Sequence, residues 1–158
     1  MAAQVVDTIE RDVLIAAPPR RVWDVITQTR HMGTWFGMPE PTSADFRPGG
    51  WVVFDHEEFG EIPVLIEEIE APRRFSYWWA LVGAGKGTRP TDGNRTLVTF
   101  TLTEEGDGTR LRVVESGITA VRADDAELEA RFKDNTEGWT IVTEDLRKRV
   151  EEVLSAAG

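Results

Sequence analysis

Two charged residues fall on otherwise apolar faces of predicted strands. Arg11 alternates with Val13 and Ile15, and Glu115 alternates with Val113. A polar group on a strand face that points toward the core is suited to orienting a ligand in an apolar pocket, or to forming a structural ion pair. We therefore single out Arg11 and Glu115 as candidate binding residues.

The two histidines and the absent cysteines limit the metal chemistry that the chain can carry. His56 begins a run that starts like the zinc-protease motif but has no second histidine four positions on, and His31 has no neighbour at a ligand spacing. With no cysteine, thiolate catalysis and disulfides are excluded. We predict no metal and no cofactor, and no spaced catalytic motif is visible.

A glycine-rich segment, residues 82–88, invites comparison with a phosphate-binding loop. A Walker motif requires Ser or Thr directly after its lysine, whereas Gly87 follows Lys86 here, and a strand rather than a helix comes next. The segment is therefore predicted to be a flexible loop at one end of the sheet that gates a cavity.

Composition narrows the classes of partner. The 158 residues fit one domain, residues 1–158 with a core over about 8–154, and the net charge is −10. A nucleic-acid-binding protein requires a basic face, and none is apparent. No segment has the length of a membrane span, and the N-terminus does not read as a secretion signal. We expect a cytoplasmic protein.

Hydrophobic residues recur with period two over seven segments, which predicts strands at residues 8–15, 44–46, 51–55, 62–69, 75–80, 95–104 and 109–117. Turn signals such as Pro48-Gly49-Gly50 separate these segments. Most connections are too short for a parallel crossover. The sheet is therefore predicted to be antiparallel.

Helical spacing appears after the first strand and again at the end of the chain. Pro19 suits the first turn of one short helix, and Thr29 suits the cap of a second. Asp134 with Glu137 resembles a capping box, which predicts a long helix over about 134–154. Its apolar stripe includes Trp139 and Val142, and we expect this stripe to pack on the sheet.

Several short motifs occur in a fixed order along the chain. They are Ile15-Ala16-Ala17-Pro18-Pro19-Arg20-Arg21-Val22-Trp23, Trp35-Phe36, Phe46-Arg47-Pro48-Gly49-Gly50, Glu70-Ala71-Pro72-Arg73-Arg74-Phe75, Val98-Thr99-Phe100, Gly108-Thr109-Arg110-Leu111 and Gly138-Trp139. Together they resemble the START-like (SRPBCC) superfamily, in the branch named after the activator of the heat shock protein 90 ATPase. The resemblance extends from about residue 8 to 154.

This resemblance implies an α+β helix-grip fold, in which a curved antiparallel sheet of about seven strands wraps on a long C-terminal helix and two short helices follow strand one. Relatives use an apolar cavity between sheet and helix for lipids, hormones, polyketides and other hydrophobic molecules. The first and last strands are neighbours in such a sheet. Arg11 and Glu115 are then expected to face the cavity and to pair or to orient a ligand, with a structural ion pair at the sheet edge or a solvent-facing barrel end as the alternative.

Aromatic residues supply the other candidates for the cavity wall. Alternation or family position directs five of them inward, and these are Trp35, Tyr77, Trp79, Phe100 and Trp139. Plain core packing is the alternative, because buried aromatic rings commonly fill cores. Gly138 leaves space for a group to approach the helix backbone, or permits a close packing contact. With Arg11, Glu115 and Val142, these residues form the predicted ligand-binding set.

Three functions follow from the resemblance. The first is a module that binds a small hydrophobic or amphipathic molecule in the cavity. The second is a cyclase, aromatase or hydrolase that uses the same cavity, with Glu115, His31 or Tyr77 as acid or base. The third, a chaperone ATPase activator, ranks last, because full activators of the eukaryotic type carry a further N-terminal domain. The oligomeric state, including a homodimer, is left open.

Overall fold

The computed structural model describes residues 5–36, 38–57, 60–81 and 87–157, except the side chains of residues 35, 36 and 157. The elements in chain order are β1 (Thr8–Ile15), α1 (Pro19–Thr27), α2 (Thr29–Phe36), β2 (Ser43–Ala44), β3 (Trp51–His56), β4 (Gly60–Glu70), β5 (Arg74–Ala80), β6 (Arg95–Glu105), β7 (Gly108–Ser116), a 3₁₀ turn (Ile118–Ala120) and α3 (Asp125–Ala157). Most of the predicted loop at 82–88 falls outside the described residues.

All seven strands form one antiparallel sheet in the order β1-β7-β6-β5-β4-β3-β2. The chain runs as a meander from β2 to β7, and β1 then adds to the outer edge of β7. The predicted α+β architecture is confirmed: a curved antiparallel sheet, two short helices after strand one and a long C-terminal helix.

Side chains on the inner face of the sheet line up in rows across the strands. Tyr77 lies opposite Val98, Val98 lies opposite Glu115, and Glu115 lies opposite Ile9. All four residues are buried. Because neighbouring strands are about 4.8 Å apart, the row places Tyr77 roughly 10 Å from Glu115 on the same face. This row forms part of the sheet surface on which the helices pack.

The long helix begins earlier than the sequence pattern predicted. The backbone N–H of Glu127 donates to Oδ1 of Asp124 at 2.8 Å, so the side chain of Asp124 caps the helix. Asp134 lies inside α3 and pairs with Arg131 instead. The predicted start at Asp134 is therefore wrong. With 33 residues, α3 is about 50 Å long.

The shortest strand also differs from its prediction. β2 ends at Ala44, whereas the alternation predicted strand to residue 46. A turn begins at Asp45, where the N–H of Arg47 donates to the carbonyl oxygen of Asp45 at 2.9 Å. A Cβ on Gly50 would lie 2.0 Å from that same carbonyl oxygen, so the turn requires glycine there. Local turn hydrogen bonds end the strand.

Candidate functional site

The carboxylate of Glu115 is fully buried and lies at the centre of a hydrogen-bond network. Its Oε2 accepts from the hydroxyl of Thr96 at 2.6 Å and from the indole N–H of Trp79 at 3.0 Å. Its Oε1 accepts from the side-chain amide of Asn135 and the indole N–H of Trp139, each at 2.9 Å. These four donors carry no charge. Their hydrogen bonds, rather than an ion pair, therefore offset the free-energy cost of burying the carboxylate.

The four donors come from three elements. Trp79 lies on β5, Thr96 on β6, and Asn135 with Trp139 on α3, one helical turn apart. Glu115 itself lies on β7, so its side chain connects three strands to the helix. A buried carboxylate that loses one of several donors becomes costly, because the remaining charge has fewer partners in an apolar environment. The network therefore fixes the position of this part of α3.

A pocket of about 120 Å³ opens beside this network. Its lining residues are Trp79, Asn135, Gly138, Trp139 and Val142. The four α3 residues recur at i, i+3, i+4 and i+7, which places them on one face of the helix. Four of the residues predicted to bind ligand are thus brought to one pocket, and Glu115 accepts hydrogen bonds from three of the lining residues, Trp79, Asn135 and Trp139.

Gly138 faces open space in this pocket. A Cβ built on Gly138 would have no atom of the described residues within 4 Å, apart from its own chain neighbours and the adjacent helix backbone. Close packing against the described part of the chain therefore does not account for the glycine. The pocket extends to the helix backbone at this position.

The aromatic rings of the predicted set form a connected cluster next to the pocket. Ring centroids are 5.8 Å apart for Trp79 and Trp139, 6.1 Å for Phe100 and Trp139, and 5.7 Å for Tyr77 and Trp79. Such distances are typical of favourable edge-to-face and tilted pairs. Phe75 extends the cluster, with its centroid 4.8 Å from that of Phe100. Apart from Trp139 on α3, these rings come from the two neighbouring strands β5 and β6.

The hydroxyl of Tyr77 is buried and has no hydrogen-bond partner in the described part of the protein. Burial in the aromatic cluster raises the pKa of Tyr77 well above its ordinary value, and the negative charge of Glu115 raises this pKa further. Tyr77 also borders a narrow apolar void of about 20 Å³ under α1 and α2. That volume is close to the minimum for one water molecule, so the larger cavity stays a prediction.

Arg11 makes none of the described hydrogen bonds of the Glu115 network. It is opposite Val113 on β7, and its guanidinium donates to Oγ1 of Thr140 at 2.8 Å and to the carbonyl oxygen of Thr136 at 3.3 Å. These bonds attach β1 to α3. The structure does not bring Arg11 and Glu115 together; each one connects the sheet to the helix at its own place.

The other singled-out residues lie in different surroundings. The side chain of Trp35 is outside the described residues. His31 is buried near the C-terminal half of α3, and Nη2 of Arg149 lies 3.2 Å from its Nδ1. Among the described residues, no group of three or more acidic or histidine side chains could hold a metal ion. No helix in the described ranges is long and apolar enough to cross a membrane.

Sequence reasoning missed two members of the network, Thr96 and Asn135. Both had a signal. Thr96 alternates with Val98 and Phe100 on β6, which places its hydroxyl on the buried face. Asn135 lies three positions before Gly138 and four before Trp139, on the same helix face.

Comparison with known proteins assigns the chain to a family. Residues 16–151 match the family model described as Activator of Hsp90 ATPase homolog 1-like protein. The chain belongs to this family, and the predicted START-like superfamily is confirmed. No curated protein matches the sequence.

Solved structures share the fold. Protein MLL2253 from Mesorhizobium loti is 21% identical with a TM-score of 0.72, and the match covers 92% of this chain and 97% of that one. Protein BH1534 from Bacillus halodurans is 26% identical with a TM-score of 0.66 over 92% and 97%. DynU16, from the dynemicin biosynthetic locus, is 22% identical with a TM-score of 0.70 over 93% of this chain and 48% of that one.

Proposed function

We propose that this protein binds a small, neutral, ring-containing molecule in the pocket of Trp79, Asn135, Gly138, Trp139 and Val142. The observation that carries the proposal is Gly138. A glycine inside a helix costs about 1 kcal/mol relative to alanine. A Cβ here would meet no atom of the described residues within 4 Å, so their packing does not require a glycine, whereas a ligand that approaches the helix backbone would. The family's fold, which typically binds small ligands, supports the same reading.

The chemical groups of the lining residues limit which kinds of ligand the pocket can bind. Both indole N–H groups already donate to Glu115, so the two tryptophans offer ring surfaces rather than hydrogen bonds. Asn135 donates its amide N–H to Glu115, which leaves its amide oxygen as an acceptor. The negative charge of Glu115 beneath the walls disfavours anions. A ring that carries one hydroxyl or amine donor fits these features.

The size of the pocket limits how much of a ligand it holds. Its volume of about 120 Å³ is below the roughly 300–1,000 Å³ of most ligand sites. A single ring therefore fits without rearrangement, whereas a lipid or polyketide would require the aromatic cluster to separate. We accordingly place the ring of an amphipathic molecule, rather than a long acyl chain, at this site.

The test measures whether phenol, indole and cyclohexanol bind to the protein. Binding is detected by the change in tryptophan fluorescence and by the shift in melting temperature. A ligand that binds only the folded state raises the melting temperature in proportion to its occupancy. Gly138→Ala narrows the pocket and is expected to weaken binding while leaving the fold intact. The matched control is Ile141→Ala, at an exposed position of the same helix, which should bind as the unaltered protein does. Absence of binding by all three compounds, or equal binding by Gly138→Ala, would contradict the proposal.

Fewer observations support the other predicted functions. An enzyme in the same space would have to use Tyr77 as an acid rather than as a base, because its raised pKa keeps it protonated. His31 borders a separate pocket. The chaperone-activator role, a homodimer and a cytoplasmic location stay predictions.

A further inference from the structure

A second pocket, of about 90 Å³, lies where α1, α2 and the C-terminal part of α3 meet. One of its walls is apolar and consists of Val25, Val150, Val153 and Leu154. The two valines and the leucine of α3 recur at i, i+3 and i+4, so they form one continuous apolar strip. This wall suits a short hydrocarbon chain.

The other residues that line the pocket are polar, and the most buried of them is His31. Its side chain is almost fully buried, with the residue only 8% exposed. Nη2 of Arg149 lies 3.2 Å from Nδ1 of His31. A guanidinium can only donate, so Nδ1 is the acceptor and the neutral ring carries its proton on Nε2. Nε of Arg149 is buried and has no hydrogen-bond partner within the described chain.

Positive charge exceeds negative charge around His31. Arg21 and Arg30 line the pocket, Arg149 contacts His31 without lining the pocket, and Asp24 is the acidic residue in the lining. Burial lowers the pKa of His31, and the charges of Arg149 and Arg30 lower this pKa further. Arginines on the outer face of the sheet, such as Arg112 beside Glu10, pair with carboxylates. The described contacts of Arg21, Arg30 and Arg149 include no such pair, although the chain has a net charge of −10.

We propose that this pocket binds a short-chain monocarboxylate. The carboxylate lies beside Arg30 and His31, with Arg149 in contact with the imidazole ring, and the alkyl chain lies along Val150, Val153 and Leu154. A single negative charge fits better than a phosphate, because Asp24 in the lining repels a multiply charged anion. The site is separate from the Gly138 pocket and does not depend on that pocket binding a ligand.

The chain has only two histidines, which makes nuclear magnetic resonance of the imidazole signals a direct probe. Titration with hexanoate is expected to raise the pKa of His31 and to shift its ring signals saturably, because a bound anion stabilises the imidazolium. His56 lies on β3 and serves as the internal control. By linkage, hexanoate should bind more tightly as the pH falls through the pKa of His31. Hexanol, with the same chain and no charge, and chloride at equal ionic strength should leave His31 unchanged.

Substitutions test which charges hold the anion. Arg149→Met removes a positive charge that contacts His31 rather than the pocket, and should weaken hexanoate binding no more than Arg30→Gln does. Arg30→Gln, at an exposed position where folding is not at risk, should weaken binding roughly two- to fivefold. Arg122→Gln changes the net charge equally, outside the pocket, and should bind hexanoate unchanged. The proposal is overturned if hexanol or chloride reproduces the His31 shift, or if Arg30→Gln and Arg122→Gln bind equally.

Discussion

The indole N–H groups of Trp79 and Trp139 donate to the same carboxylate, that of Glu115, and the two ring centroids lie 5.8 Å apart. One tryptophan is on β5 and the other is on α3. Apolar contact alone would leave the rings free to slide past each other, whereas hydrogen bonds to one shared acceptor set their mutual position. The walls of the candidate pocket are therefore pre-organised by a residue that does not line it.

Glu115→Gln is expected to lower the free energy of unfolding by about 1–3 kcal/mol. The glutamine amide brings an N–H₂ group to a position where indole and amide N–H groups already point, so at least one donor loses its acceptor. Urea unfolding followed by tryptophan fluorescence measures the change.

A matched control for this substitution exists on the outer face of the sheet. Glu67 also accepts an indole N–H, from Trp78 at 2.9 Å, but this pair is exposed to solvent. Glu67→Gln should change the free energy of unfolding by no more than about 0.5 kcal/mol. Equal effects at the two positions would show that burial of Glu115 contributes little.

Gly138→Ala is expected to raise the free energy of unfolding by about 1 kcal/mol, because alanine is the better helix former and its Cβ meets open space. Gly33 in α2 provides the contrast. A Cβ there would lie 2.3 Å from the carbonyl oxygens of Met38 and Pro39, so Gly33→Ala should destabilise the protein. Thermal unfolding of both variants checks the opposite signs.

The strands were predictable because their period of two is the direct result of one buried face. The observed bounds of β1 equal the predicted ones, and those of β6 differ by one residue. The start of α3 was not predictable in the same way. Asp134-x-x-Glu137 and Asp124-x-x-Glu127 are the same motif, and only packing of the intervening residues decides which one caps the helix.

The inward direction of Glu115 was predictable from its strand neighbours, but its partners were not. Trp79, Thr96, Asn135 and Trp139 converge on it from three elements, and a single sequence does not fix the register between β5, β6 and α3. The expected pairing of Arg11 with Glu115 depended on the register between β1 and β7. Arg11 instead lies opposite Val113 and bonds to α3.

Tyr77→Phe is expected to raise the free energy of unfolding by about 1 kcal/mol, because it removes a buried hydroxyl that has no partner. Thr96→Val removes a buried hydroxyl that does have a hydrogen-bond partner, Glu115. This substitution should lower the free energy of unfolding by about 1–3 kcal/mol. Chemical unfolding of the two variants compares a satisfied with an unsatisfied hydroxyl. Destabilisation by both to a similar extent would mean that Tyr77 has a partner in solution.

The same tyrosine predicts a loss of stability at alkaline pH. The folded protein holds the Tyr77 proton because its pKa is raised, whereas the unfolded chain releases that proton above about pH 10. Stability is thus lost as the pH rises beyond about 10, and Tyr77→Phe should show a smaller loss. Tyr77 is the only tyrosine, so tyrosinate absorbance should appear together with unfolding rather than before it.

His31 predicts a loss of stability on the acid side. Because its pKa is lowered in the folded state, the unfolded chain takes up a proton first as the pH falls below about 6.5. Stability therefore decreases from about pH 6.5 down to the folded-state pKa and then becomes independent of this group. His31→Gln should remove this slope and His56→Gln should retain it, as measured by urea unfolding at several pH values.

One helix, α3, supplies a wall to each of the two pockets. Trp139 and Val150 are eleven positions apart, about 16 Å along the same rod. The hydrogen bonds to Glu115 hold the Trp139 segment of α3, so a proposed ligand that displaced the helix from either pocket would strain this network, and the two occupants would influence each other's affinity. Thermodynamic reciprocity would make that influence equal in both directions. If both binding proposals hold, α3 is the element through which one ligand would affect the binding of the other.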